Sequence, residues 1–201
     1  MKYKIQKLLN GKVLHFKFKN QKDICKTFIR FQEYYESPEF AGKIFTLSEY
    51  KTWYAKEYGA FTYYKEWNGF NIPVKHFKPF IDGKFDPLKK RERKIVDEVR
   101  SSKAKYVIAT HRKADFEHEL THAIFNTNTK YRFSIICVLG KSKYKKNIQE
   151  ISKFLAKEGY NPKVFMDEIN AYITDQDKWI FDKVSIDKEL AKELIELRKE
   201  F

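Results

Sequence analysis

Cysteine is scarce in this chain of 201 residues, which contains only Cys25 and Cys137. The two residues stand in unrelated apolar contexts and form no CxxC pair. This pattern argues against a disulfide and against a metal site built from thiolates. We therefore expect two buried free thiols.

Long apolar runs are also missing from the sequence. No stretch approaches the roughly 18 to 20 consecutive apolar residues that a membrane-spanning helix needs. The first seven residues, MKYKIQK, lead into no long apolar region of a secretory signal. We expect a soluble protein of the cytoplasm that has no membrane partner.

Acidic residues are outnumbered, because 27 Asp and Glu stand against 41 Lys and Arg and leave a formal net charge of +14. Such an excess attracts polyanions, which makes nucleic acid a candidate partner. Lys and Glu are abundant together along the whole chain, however, and this composition is also typical of heat-adapted proteins with many surface ion pairs. The charge alone does not choose between these interpretations.

Apolar residues are nevertheless frequent enough for a sizeable core. Hydrophobic residues make up 42% of the chain and aromatic residues 17%, which excludes a disordered protein. The length suits one domain, or one domain with a large appendage. Residues 78–87 are rich in Pro, Gly and Asp and mark the expected boundary. We predict an aromatic-rich α/β part over residues 1–85, separate or packed on the core, and a second part over residues 86–201.

The first part opens with a hairpin signal. Two segments with strand character, residues 3–9 and 13–18, flank an Asn10-Gly11 turn. Residues 20–36 then carry apolar side chains at helical spacing. The aromatic-rich segment over residues 61–73 favours a core role over a stacking platform for bases.

Caps predict where several helices begin. Thr46 with Glu49 three residues later forms a capping-box pattern. Asp86-Pro87 predicts the cap and first turn of a basic helix, whose residues 89–94 form the densest positive patch. An apolar strand over residues 106–110 follows, and after it a helix capped by Asp115.

The helix after that strand contains a complete HExxH motif. On an α-helix, residues four apart share a face, so His118 and His122 can point at one Zn²⁺ with Glu119 beside a metal-bound water. A structural zinc usually has four protein ligands and does not need such a carboxylate, so the motif favours catalysis. The preceding apolar strand is where a peptide substrate could lie by edge pairing.

A catalytic zinc takes a third protein ligand and keeps one position open. The extension HExxHxxGxxH is absent, because Phe125 and Asn128 stand at its glycine and histidine positions, and this excludes a metzincin. No histidine follows His122, so the third ligand is a carboxylate or a rarer group. The best candidates lie in residues 164–173, a segment that Asn161-Pro162 opens as a helix.

Two neighbouring carboxylates in that segment have different expected roles. Glu168 precedes Tyr172 by four residues, so both side chains can reach one site beside the helix. Asp167 points roughly 100° away, where it could hold a ligating imidazole.

Residues 116–125 followed by residues 167–172 resemble the zincin metallopeptidases. The likeness is to the gluzincin arrangement, in which a helix with HExxH is followed by a glutamate helix, and small archaeal minigluzincins are a near analogy. It covers roughly residues 104–174. The NExxD form of the glutamate helix is absent, and the sequence DEINAY stands in its place.

The resemblance implies an α+β zincin fold with a small mixed or antiparallel sheet, an HExxH active-site helix and a glutamate helix. It also implies a zinc ion held by His118, His122 and Glu168, with Glu119 as general base and acid. The expected substrate is a peptide or protein.

The expected reaction needs one more hydrogen-bond donor. Zinc lowers the pKa of a bound water toward about 7, and Glu119 takes its proton. The developing oxyanion needs a donor besides the metal, for which Tyr172 is the candidate and His111 the rival. We interpret His15 and His76 as ordinary core or surface histidines.

Two other hypotheses come from the remaining features. The basic patch over residues 89–94 and the tyrosine-rich first half could form a nucleic-acid-binding module, with the zincin part vestigial or acting on nucleic-acid-bound proteins. The last helix, capped by Ser185 and spanning residues 186–201, or the first half of the chain, could cover the cleft and keep an enzyme latent. Alternating Lys and Glu in that helix favour an ordinary solvated surface.

Overall fold

The computed structural model describes residues 2–201. Within those residues eleven α-helices accompany one mixed four-stranded sheet, which confirms the α+β class. None of these helices combines the length and the apolar character that crossing a membrane requires.

The chain divides into two compact units, Met1–Phe116 and Glu117–Phe201. The division falls after Phe116, inside a helix, and not near residue 85. Residues 78–87 belong to the first unit, because Phe80 and Phe85 are part of its apolar core.

The sheet belongs to the first unit, with strand order β1-β2-β4-β3. Its strands are β1 (Tyr3–Leu8), β2 (Val13–Phe18), β3 (Gly69–Pro73) and β4 (Tyr106–Thr110). β1 and β2 form the predicted antiparallel hairpin, whose turn includes Asn10 and Gly11 at positive φ. β2 and β4 are parallel, and β3 and β4 are antiparallel.

Strand β4 was predicted to offer an edge to a peptide substrate, and this is wrong. β4 is hydrogen-bonded to β2 on one side and to β3 on the other, so neither of its edges is free. The partner β3 comes from the aromatic-rich segment, in which the sequence did not separate strand from turn. The outer strands of the described sheet are β1 and β3.

Six helices begin in the first unit. They are α1 (Gln21–Glu36), α2 (Leu47–Tyr58), α3 (Tyr63–Glu66), α4 (Lys78–Ile81), α5 (Lys90–Ser101) and α6 (Ala114–Thr127), which continues into the second unit; Val74–Phe77 is a 3₁₀ turn. The predicted capping box of α2 is confirmed, because Thr46 and Glu49 each accept a hydrogen bond from the other's backbone N–H.

The start predicted for α5 is wrong. The helix begins at Lys90 and not at Pro87, which follows Asp86 through a cis peptide bond. The Glu92 carboxylate accepts the backbone N–H of Lys89 at 2.7 Å and so fixes the first turn. A buried ion pair holds Glu92 in place, and the sequence did not reveal that pair.

Aromatic side chains fill the core of the first unit, as predicted for residues 61–73. Tyr63 and Phe70 are fully buried, and the half-buried Trp67 stacks on Phe70. Cys25 is buried among them, and burial raises the pKa of its thiol to about 12. This confirms one of the two expected buried thiols.

Two histidines of the first unit have structural roles, in line with their interpretation. The Nε2 atom of His15 lies 2.9 Å from the Thr110 hydroxyl, and His76 packs against the ring of Tyr35. Burial, and secondarily a neighbouring lysine, lowers the pKa of each imidazole to about 4.

A buried carboxyl in α1 makes the stability of this core pH-dependent. Glu33 is 5% exposed, and burial raises its pKa to about 7. The folded chain therefore keeps a proton that the unfolded chain releases near pH 4.5. The contribution of Glu33 to the free energy of unfolding consequently falls as the pH rises from about 4.5 to 7, and then stays at its lower value.

Glu33→Gln removes this titration while keeping the size of the side chain. We expect the variant to match the wild type near pH 4.5 and to exceed its free energy of unfolding by up to about 3 kcal/mol at pH 8. Urea denaturation at both pH values measures the difference, with the exposed Glu57→Gln as the control. An equal change at both pH values would contradict the prediction.

The second unit is helical throughout its described residues. After the end of α6 it contains α7 (Thr129–Leu139), α8 (Lys145–Lys157), α9 (Phe165–Asp175), α10 (Lys178–Phe181) and α11 (Lys188–Lys199), with 3₁₀ turns at Ser142–Tyr144 and Pro162–Val164. Its core contains the buried side chains of Ile135, Ile151, Ile169, Leu190 and Leu194. Helix α11 packs against both α7 and α9.

Two predictions in this unit are wrong. Cys137 is exposed, because α7 carries apolar residues on its solvent side as well, including Phe133 at 68% exposure. The last helix is capped by Asp187, which accepts the backbone N–H groups of Glu189 and Leu190, and not by Ser185.

Candidate metal centre

Helix α6 presents the HExxH residues in the second unit. His122 and Glu119 are buried, at 1% and 6% exposure, and His118 is partly buried. Asp115, expected to cap the helix, lies inside its first turn instead, and its carboxylate binds the Arg112 guanidinium at 2.9 Å. The cap prediction is therefore wrong, while the predicted helical placement of the motif is confirmed.

The structure brings the three predicted ligands together. The side-chain ligand atoms of His118, His122 and Glu168 all lie within 4.8 Å of one another. The two histidine Nε2 atoms are 3.2 Å apart, and Oε2 of Glu168 lies 3.7 Å from Nε2 of His122. Glu168 reaches this position from α9, where it is 8% exposed.

Two of the three separations suit a tetrahedral cation site, and the third is at most 4.8 Å. Zinc bonds to histidine nitrogen and carboxylate oxygen measure about 2.0–2.2 Å, so two ligands of one tetrahedral ion lie about 3.3 Å apart. The observed 3.2 and 3.7 Å fall close to that value. Two imidazoles with one carboxylate form a donor set that occurs at catalytic zinc sites.

The protonation of His118 also fits a metal ligand. Burial, and then the charge of His122, holds the pKa of His118 well below its usual range, so its imidazole is neutral. A neutral imidazole keeps a nitrogen lone pair for a cation. Its Nδ1 is buried without a hydrogen-bond partner among residues 2–201.

His122 is held from behind by a carboxylate. Its Nδ1 lies 2.9 Å from Oδ1 of Asp167, and Oδ2 of Asp167 accepts a hydrogen bond from Asn126 at 2.8 Å. Nε2 of the ring faces the cluster, and the contact behind the ring is an ion pair, because the hydrogen-bond geometry between Nδ1 and Oδ1 is not satisfied. Burial lowers the pKa of His122, but the charges of Asp167, Glu168 and Glu119 outweigh it and raise that pKa to about 10 when no cation is bound. A metal at Nε2 would take the place of the proton there, so binding would release it.

Tyr172 lies at the same site. Its ring packs on His118 with the ring centroids 4.6 Å apart, and its hydroxyl is hydrogen-bonded to the Tyr160 hydroxyl at 2.6 Å. Burial is the main reason that the pKa of Tyr172 is raised. The rival donor His111 belongs to the first unit, where its Nδ1 lies 3.0 Å from the Asn68 carbonyl oxygen.

Two residues of the site were not predicted. Asn126 stands four residues after His122 and thus on the same face of α6, so the spacing that defines HExxH, continued by one turn, would have found it. Tyr160 lies between α8 and α9, and no motif or periodicity marks it.

No protein-family model, curated protein or solved structure matches this chain. The chemical character of the site therefore follows from its own residues. Two imidazoles and one carboxylate converge, and the buried carboxylate of Glu119 stands next to them in the sequence. Such a group of donors can hold a divalent cation and move a proton beside it.

Proposed function

We propose that the chain is a zinc-dependent metallopeptidase with a gluzincin-like site, in which His118, His122 and Glu168 hold the metal. The observation that carries the proposal is the convergence of these three ligand atoms within 4.8 Å. A fourth group, the buried Glu119, belongs to the same helix turn as His118. A metal with a purely structural role would not need that carboxylate.

The proposed reaction is hydrolysis of a peptide bond. Zinc bound by these ligands would supply a Lewis acid that polarises the peptide carbonyl and lowers the pKa of a water. Glu119 accepts the proton of the attacking water and later donates it to the leaving amine.

Two further residues support the reaction. The Tyr172 hydroxyl donates a hydrogen bond to the carbonyl oxygen as negative charge develops on it, and the Tyr160 hydroxyl, 2.6 Å away, orients it. Asp167 keeps the His122 ring fixed through its contact with Nδ1.

We place the enzyme in the cytoplasm, where the two free cysteines would stay reduced.

Metal content is the first test of this proposal. Purified wild-type protein is expected to contain about one zinc per chain by elemental analysis, and His118→Ala and Glu168→Ala are each expected to lose most of it. Glu196→Ala removes an exposed carboxylate from the same unit, and it should keep the zinc. A wild type that binds no metal, even when zinc is supplied, would contradict the proposal.

Hydrolysis is tested with the same preparations. A mixture of denatured proteins is incubated with the enzyme, and new chain termini are detected by mass spectrometry. Cleavage should stop when a chelator removes the metal and return when zinc is restored. Cleavage that persists in the metal-free protein would contradict the proposed chemistry.

A further inference from the structure

Five lysines surround one groove in the first unit, whose volume is about 580 Å³. Lys2 and Lys4 come from the β1 side of the hairpin, Lys17 and Lys19 from the β2 side, and Lys94 from α5. All five side chains are exposed. None of them has an ion-pair or hydrogen-bond partner anywhere in residues 2–201.

The hairpin register places like charges opposite each other. Lys4 of β1 is paired with Lys17 of β2, and the same register, continued by two residues, sets Lys2 against Lys19. Like charges directly opposite on neighbouring strands destabilise a sheet. The field of this cluster extends into the fold, because Lys17 is the second cause, after burial, of the lowered pKa of His15. The fold therefore maintains a concentration of positive charge that costs stability.

Two aromatic residues also line the groove. Tyr3 and Phe18 are cross-strand partners with ring centroids 5.3 Å apart, and both line the groove. Phe18 is buried and Tyr3 half-buried, so neither ring projects as an anchor for a lipid bilayer. A duplex presents its phosphates on a rigid convex cylinder, which follows a small concave surface less closely than a flexible chain does. A single strand is flexible enough to follow the groove with its phosphates against the lysines.

We propose that this groove binds single-stranded nucleic acid through its phosphate backbone, as a function separate from the proposed metal site. The location differs from the patch predicted from the sequence, because only Lys94 of residues 89–94 lines the groove. Arg91 and Arg93 of that patch pair with acidic side chains.

The test measures binding of a fluorescent single-stranded oligonucleotide by polarisation at several salt concentrations. The full-length wild type is compared with Lys4→Glu/Lys17→Glu. We expect the affinity of the variant to fall about tenfold or more, and the plot of log affinity against log salt to become shallower by about 1.4 for the two lost phosphate contacts.

The matched control is Lys7→Glu/Lys12→Glu, which makes the same change of charge on the same hairpin at exposed lysines outside the groove. This control should bind within about threefold of the wild type, since screening weakens a charge beyond about 10 Å at 0.1 M salt. Equal losses in both variants would overturn the proposal, as would absence of binding by the wild type at low salt. Displacement of the oligonucleotide by polyglutamate of equal charge would also overturn it, in favour of an acidic protein partner.

A second variant keeps the test decisive if the double glutamate substitution unfolds the unit. Lys4→Gln/Lys17→Gln removes the repulsion between the paired lysines and introduces no negative charge. We expect it to bind several-fold more weakly than the wild type and to unfold at a higher urea concentration. Unchanged affinity in this folded variant would overturn the proposal.

Discussion

Replacing Glu119 by Gln is expected to lower the rate of peptide hydrolysis by about 10²- to 10⁴-fold and to leave the bound zinc in place. The glutamine amide has nearly the same size as the carboxylate but cannot accept a proton. Glu119 is 6% exposed and is not among the three clustered ligands. The loss should therefore fall on the proton transfer, with little effect on metal binding.

The control for this variant is Glu117→Gln on the same helix. Glu117 is exposed and makes only a long contact, at 3.5 Å, with Arg198. The Glu117→Gln variant should retain both zinc and activity. Elemental analysis and the rate of formation of new termini are measured on both variants. Undiminished hydrolysis by metal-loaded Glu119→Gln would remove Glu119 from its proposed role and would point to another base.

The residues of the site that could be predicted are those whose positions follow from local helix geometry. The spacing of His118 and His122 places both on one face of any α-helix, and Glu119 follows from the same motif. The capping box at Thr46 and the Asn10-Gly11 hairpin turn were also predictable, because each involves residues within a few positions of one another. In these segments the backbone needs no distant partner to adopt its structure.

The long-range part of the site was predicted less fully. Glu168 was proposed from its helix and from a resemblance, but its 3.7 Å separation from His122 depends on how α6 and α9 are brought together. No spacing along the sequence encodes that distance. The hydroxyl contact between Tyr160 and Tyr172 is of the same kind, because Tyr160 lies outside any helix.

Two of the wrong predictions share a physical cause. Asp86-Pro87 has the composition of a helix start, yet α5 begins at Lys90, where Glu92 accepts a backbone N–H. Cys137 has an apolar neighbourhood in the sequence, yet it faces solvent on a helix that is apolar on several sides. In both cases the observed structure depends on a contact or a surface that forms only in the folded chain, and local composition does not reveal it.

Glu92, which accepts the backbone N–H of Lys89 at the start of α5, also forms a buried ion pair with Arg30. Nε and NH2 of Arg30 donate to the two carboxylate oxygens at 2.8 and 2.6 Å, and the side chains are only 7% and 1% exposed. Arg30→Met leaves the Glu92 charge buried without its partner. We expect this variant to lose about 3–5 kcal/mol of unfolding free energy, measured by urea denaturation.

A double-mutant cycle separates the lost charge pairing from lost packing. Glu92→Gln keeps an oxygen that can accept the Lys89 N–H, and combined with Arg30→Met it removes both charges. The double variant should therefore be more stable than Arg30→Met alone, because no uncompensated charge remains in the core. Lys78→Met breaks the exposed pair with Asp82 and should cost at most about 1 kcal/mol. A small loss for Arg30→Met, similar to that of Lys78→Met, would contradict the prediction, because it would mean that the Glu92 charge is not left uncompensated when Arg30 is removed.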